Sequence, residues 1–297
     1  MELLKVIVFD LLSSAPILVG IIALTGLILQ KESVDKVISG TLKTIVGFLV
    51  FGVGSAAAVV ALNSFQTLFA QGFGLKGVLP LAEAVTALAQ QQFGTTVSLV
   101  MMIGFLANLA VAKFTPLKYI FLTGQHNLYL AALLTIMFKA LGMGNTMTVI
   151  LGGLLLGFCA ALFPAIAQPY MRKVTGDDDI AMGHYVTVGY AISGWIGSKV
   201  GNPEDSTENL KLPKWLTMFK DYVVGVSITM VIFFYIAAIA AGQEATEQLS
   251  NGVNWLVFPL FQGLQFAAAL YVIITGVRLF LGEIVQAFVG ISETFIP

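Results

Sequence analysis

The sequence predicts an all-α polytopic membrane protein with about seven transmembrane helices, re-entrant hairpins and interfacial helices. Hydrophobic residues make up 58% of the 297 and charged residues only 10%, with a mean hydropathy of +0.91. That is far from the mixture a soluble domain needs to coat its surface. Apolar runs recur at spanning length, each crossing needing about 20 mostly apolar residues. Polar and glycine-rich interruptions separate them. The net charge of −1 and the lack of a basic cluster leave no electrostatic footprint for nucleic acid.

The runs lie at 11–30, 44–62, 95–112, 119–138, 147–167, 222–241 and 255–276. The first reads as a retained helix, because its flank Met-Glu-Leu-Leu-Lys carries little positive charge and its apolar stretch outlasts the core of a signal peptide. Cytoplasmic segments hold the excess of lysine and arginine. Seven crossings with the N-terminus outside put Lys31, Lys36, Lys43, Lys113, Lys118, Arg172, Lys173, Lys199, Lys211, Lys214, Lys220 and Arg278 inside. Lys5, Lys76 and Lys139 are left outside. This bias sets the expected orientation.

The segments between the runs carry more information than the runs. Residues 63–94 are too polar to span, yet hold a helix-like stretch from Leu81 to Gln92, announced by Pro80 and carrying Glu83. A re-entrant hairpin is expected there. Residues 115–126 set Thr123, Gly124, Gln125 and His126 at the head of an apolar helix, and 181–197 is glycine-rich and half polar. Irregular backbone at membrane depth persists only where protein buries it or where it lines a watery cavity. Carriers use that pattern, holding their solutes on broken helices near the midplane.

Residues 201–221 form the one soluble-looking stretch, on the inner side. Pro213 opens a helix there, and Trp215, Leu216 and Phe219 make a narrow apolar stripe beside Lys214 and Lys220, as in an interfacial helix. Residues 279–297 mix apolar and acidic positions at helical spacing, which suits a second interfacial helix or the approach to a further crossing. Residues 1–297 thus read as a single membrane-embedded permease domain, with a cytoplasmic amphipathic loop at 201–221.

Five stretches together carry a resemblance: PLAEAVTALAQQQFG, NLAVAKFTPLKYIFLTGQHNLYLAALL, GHYVTVGYAISGWIG, ENLKLPKWLTMFKD and GVRLFLGEIVQAFVGISETFIP. In this order the chain is similar to the ascorbate-type membrane subunit, enzyme IIC, of the bacterial phosphoenolpyruvate-dependent sugar phosphotransferase system. The likeness runs along nearly the whole chain. It implies a homodimeric permease of the bacterial cytoplasmic membrane, in which a mobile core domain carries a small sugar or sugar acid past a fixed dimer-forming domain. Partner IIA and IIB proteins relay phosphate, and the sugar leaves as its phosphate ester. No chemistry is expected in this chain alone, and no cofactor or metal. Family members continue past the Ile-Pro motif that ends here at Pro297, so the resemblance also implies a truncated product.

Several residues stand out as substrate contacts. Glu83 is an acid in a largely apolar helix, where an unpaired charge costs several kcal/mol; in a cavity its carboxylate would accept hydrogen bonds from sugar hydroxyls. Thr123 can cap the following helix and Gly124 lets backbone approach a ligand. Relatives commonly carry a histidine directly after this Thr-Gly pair, where the present chain has Gln125 and then His126. Glutamine keeps donor and acceptor capacity but cannot titrate. Tyr129, one turn after Gln125, is expected on the same side, where it could stack or pack. His184 matches the family's Gly-His pair, with Tyr185 and Thr187 as neighbours; its alternative is a structural histidine donating to backbone.

Other motifs carry less. Asp177, Asp178 and Asp179 are contiguous, so they lack the spacing that gathers carboxylates on one helix face, and they read as a solvated loop. Cys159 is the lone cysteine, set in an apolar run as a buried packing residue. Gly40, Gly47, Gly52 and Gly54, and Gly152, Gly153 and Gly157, have spacings that let helices approach closely. No nucleotide-binding P-loop pattern occurs. Two rival classes remain open at this stage: an ion-coupled secondary carrier, with Glu83 or His184 as proton site, and an intramembrane enzyme, for which the aspartates are wrongly spaced.

Overall fold

In an apolar medium every backbone N–H and C=O must find an internal partner, and a helix supplies those partners within one segment. The computed structural model describes residues 14–77, 82–178, 180–202 and 213–295. Among them it contains helices and irregular connections, and no strand. In chain order the helices are α1 (Ala15–Leu29), α2 (Val34–Phe73), α3 (Ala82–Phe114), α4 (Gly124–Ala140), α5 (Asn145–Thr175), α6 (Thr187–Val200), a 3-10 helix (Lys214–Lys220), α7 (Tyr222–Ala241), α8 (Gln243–Leu249) and α9 (Phe258–Phe295).

Each of the seven apolar runs holds a helix. By length and composition, five of the described helices can cross a membrane: α2, α3, α5, α7 and α9. Helix α1, with 15 residues, and α4, with 17, fall short of a full crossing length. The lengths of the long helices also differ from the sequence reading. Residues 63–73 continue α2 instead of forming a hairpin arm, because Phe65, Phe69 and Phe73 repeat at i, i+4 and their rings pack at 5.4 and 4.6 Å. Pro80 and Leu81 lie outside the described residues. The helix-like stretch that follows merges into α3, and the break expected near residue 94 is a kink at Phe93 (φ −139°, ψ 27°).

The stretches 255–276 and 279–297 likewise share one helix, α9, from Phe258 to Phe295. Its buried stripe of Phe266, Leu270, Ile273, Val277, Phe280, Ile284, Ala287 and Ile291 never breaks register. Continuous burial therefore overrides the glycines and charges that suggested a boundary. Pro213 precedes a 3-10 helix on which Trp215 is 66% exposed and Phe219 is also exposed. Residues 203–212, about half of the soluble-looking loop, lie outside the described residues, as do Asp179 and Pro297.

Packing divides the chain into two compact units. The first comprises Met1–Phe48, Gln92–Asn209 and Arg278–Pro297; the second comprises Leu49–Gln91 and Leu210–Val277. In the first, Phe105 and Phe288 stack with centroids 3.7 Å apart, and Phe48 meets Phe280 at 5.2 Å. Small residues bring α5 against α3. A Cβ on Gly157 would lie 2.4 Å from the Ala107 Cβ and 2.7 Å from the Asn108 nitrogen. In the second unit Phe65 meets Phe234 edge-on at 5.3 Å, and a Cβ on Gly54 would lie 2.6 Å from the Ile273 nitrogen. Gly52, by contrast, has nothing within 4 Å of a built Cβ among the described residues. Cys159 is half-buried where the sequence reading had it buried, because it lies on the partly exposed side of α5.

Candidate functional site

Two long irregular stretches lie among the described residues of the first unit: 115–123, between α3 and α4, and 176–178 with 180–186, between α5 and α6. Pro116 lacks an N–H and cannot extend α3. The chain turns there, with the Leu117 N–H donating to Thr115 Oγ1 at 3.1 Å and the Lys118 N–H to the Pro116 carbonyl at 3.0 Å. Buried carboxamides then replace the missing helical bonds. Asn108 of α3, fully buried, donates through Nδ2 to the Tyr119 carbonyl at 3.0 Å. Its Oδ1 accepts from the Phe121 N–H at 2.9 Å. Asn127 of α4 donates to the Phe121 carbonyl at 3.0 Å. The sequence reading missed both asparagines. The available signal was a carboxamide in each of two apolar stretches, LANLAV and HNLYLA, where burial demands partners.

The second interruption begins at Gly176, whose left-handed backbone (φ +80°) ends α5 with its N–H bonded to the Arg172 carbonyl. Arg172 Nε donates to Asp178 Oδ1, and Gln168 Nε2 donates to the same oxygen at 3.4 Å. These hydrogen bonds, the one from Arg172 first, hold the Asp178 carboxyl below the usual aspartate range. Asp178 is thus clamped rather than simply solvated. Asp177 is exposed, with its own N–H bonded to Thr175 Oγ1. No cluster of three potential metal ligands occurs among the described residues.

A cavity of about 350 Å³ opens between the two interruptions. Lys118 through Thr123 form one wall, and Asp178, Ile180, Ala181 and Gly183 form the other, with Pro164 of α5 between them. Its volume lies near the low end of small-molecule sites. Gly183 is required by space: a Cβ there would sit 1.9 Å from the Phe121 ring and 3.0 Å from Pro164 Cγ.

A polar aromatic cluster adjoins the Thr123–Gly183 end. The His126 and His184 rings lie 4.3 Å apart, tilted 71°. Tyr185 sits 4.5 Å from His184 and 5.5 Å from His126. Tyr190, not foreseen in the sequence, stands 5.5 Å from His184. Thr187, fully buried, accepts from the His184 N–H at 3.0 Å and donates back to the His184 carbonyl. His184 Nδ1 accepts from the Val186 N–H at 3.0 Å, which assigns the proton of the neutral ring to Nε2. His126 Nδ1 is buried without a hydrogen-bond partner among the described residues.

Six of the seven residues singled out in the sequence therefore belong to the first unit, and four of them, His126, His184, Tyr185 and Thr187, form one cluster. Gln125 and Tyr129 do not share an environment, although they are one turn apart: Gln125 is exposed while Tyr129 is 6% exposed. The helix turns Tyr129 into the protein. Thr123 occupies the cap position of α4 but makes no capping hydrogen bond, and it lines the cavity instead. Glu83 belongs to the second unit. There it is half-buried in the first turn of α3, close enough to Tyr222 to interact electrostatically.

Long apolar helices, irregular segments tied by buried asparagines and a small cavity between those segments define a multi-pass membrane protein. Residues 10–297 match the EIIC-GAT family, described as the PTS system sugar-specific permease component, and the chain belongs to that family. A relative, the ascorbate-specific PTS system EIIC component of Mycoplasma pneumoniae, is 29% identical over 342 aligned positions. The alignment covers 99% of this chain and 51% of that protein, so the chain spans about half the length of the curated relative it matches.

Proposed function

We propose that this chain binds a small, ascorbate-like sugar acid and carries it across the bacterial cytoplasmic membrane, while a partner IIB protein, recharged by IIA, converts it to a phosphate ester. The observation that carries the reading is the unpartnered His126 Nδ1 beside His184, next to a cavity, in a chain matched over residues 10–297 to sugar permeases of this system. A sugar acid offers several hydroxyls and an anionic oxygen. His126 Nδ1, His184 Nε2 and the exposed Gln125 can meet them as donors or acceptors. Tyr185 supplies a face for the sugar's apolar side. Tyr129 backs the site from within, and Thr187 fixes the backbone of His184.

The same reading assigns the chain seven crossings with the N-terminus outside, an interfacial segment within 201–221, and assembly as a homodimer. The test is uptake. Inverted and right-side-out vesicles carrying the full-length protein receive labelled L-ascorbate with or without phosphoenolpyruvate, the general carrier proteins, IIA and IIB. Labelled ester is expected only with the complete set. Accumulation of unmodified sugar driven by a proton gradient alone overturns the proposal.

A further inference from the structure

The Lys118 end of the cavity differs in chemistry from the histidine end. Lys118 lines the cavity, and its Nζ donates to the Lys113 carbonyl at 3.0 Å. That bond fixes the ammonium while using one of its three donors. Among the described residues no carboxylate pairs with it. The acid on the facing wall, Asp178, is already held by Arg172 Nε and Gln168 Nε2. No described hydrogen bond uses the two Nη groups of Arg172. Counting Lys118, Arg172 and Asp178, this end carries a net charge of one positive unit. Tyr119 lies close enough to Arg172 to interact electrostatically, which places the guanidinium beside the 118–123 wall.

The backbone adds to this polarity. Asn108 and Asn127 occupy the Tyr119 carbonyl and both backbone groups of Phe121. No described hydrogen bond uses the N–H groups of Ile120 and Leu122, two further cavity-lining residues. A fixed ammonium, backbone N–H groups and an exposed guanidinium fork together match a phosphate group.

We infer that the Lys118 end of the cavity is a phosphoryl subsite. It receives the anionic phosphoryl group, whether on the partner that delivers it or on the esterified sugar, while the sugar ring lies toward His126 and His184. This rests on the phosphotransferase reading above and adds to it a location within the chain. It also gives the Arg172–Asp178 clamp a role: the guanidinium offsets the charge of a carboxylate that lines the cavity.

Equilibrium dialysis of the full-length protein in detergent against radiolabelled inorganic phosphate tests the subsite by itself. Wild type is expected to bind phosphate, Lys118→Gln to bind it roughly tenfold more weakly, as for loss of one charge-assisted hydrogen bond, and Lys118→Arg to bind it nearly as well as wild type. Equal binding by wild type and Lys118→Gln, or binding by neither, overturns the inference. A transfer assay with phosphorylated IIB gives a second readout. The loss in Lys118→Gln is expected in kcat/KM for the phosphorylated partner rather than in KM for the sugar; a loss confined to the sugar KM also overturns it. Failure of the functional reading looks different: wild type then forms no sugar ester under any condition, whatever its phosphate binding.

Discussion

The two units solve the same problem, an apolar chain with obligatory polar backbone, in different ways. In the second unit, α7 and the described parts of α2 and α9 run as unbroken helices, closed by ring contacts such as Phe65–Phe234 and by glycine contacts such as Gly54 against Ile273. In the first, two long irregular connections follow α3 and α5, and Asn108, Asn127 and Thr187 satisfy their freed backbone. Cavity and histidines occur where helix has been given up. The difference teaches that a cavity of this kind opens where backbone is unwound, and that unwound backbone requires buried side chains to hold it.

The comparison breaks most sharply at Asn108. Asn108→Leu removes two hydrogen bonds and leaves the Tyr119 carbonyl and Phe121 N–H unsatisfied. A loss of about 3 kcal/mol or more is expected, at 1–3 kcal/mol per orphaned group, read by chemical unfolding in detergent, together with loss of sugar binding. A variant as stable as wild type would show that the segment holds itself. In the second unit, Gly54→Ala forces a Cβ to within 2.6 Å of the Ile273 nitrogen. About 1–3 kcal/mol of stability should be lost by overpacking, with the sugar affinity of the surviving folded protein unchanged. A selective loss of binding would instead make α2 part of the site.

The histidines sharpen the contrast at smaller cost. His126→Ala and His184→Ala should each weaken sugar binding about tenfold, equivalent to about 1.4 kcal/mol, in a titration of protein that remains folded. Unchanged affinity in both would return them to a structural role. The smallest effect belongs to Asp178. Its folded carboxyl titrates below the ordinary aspartate value of about 3.9. Its contribution is therefore complete above that value and fades only as pH falls through the lower, folded one. Stability curves of wild type and Asp178→Asn should run parallel from about pH 5 to pH 8 and converge in stronger acid. The pair is exposed, so their separation should be small. A crossover near neutral pH would contradict the clamp.

Much of this was legible in the sequence because it rests on local properties. Hydropathy located a helix in each of the seven runs; the polar interruption at 115–126 contains one wall of the cavity, while that at 181–197 supplies only Ala181 and Gly183 of the other and is mostly helix α6. What periodicity could not give was the partner of each group. Gln125 and Tyr129 share a helical spacing yet differ in burial, since burial depends on what lies opposite. Residues 255–276 and 279–297 looked separate because Arg278 and Glu283 interrupt the hydropathy, while the buried stripe of α9 continues past both.

The amino-acid order by itself determined that this chain lives in a bilayer, that its helices are interrupted, and that His126 and His184 are its two histidines. Their separation of 58 positions says nothing of a meeting. Only the tertiary structure brought the rings to 4.3 Å, because two asparagines and a threonine hold backbone that no helix could hold, and hydrogen bonds across such distances in sequence form only once the chain has packed.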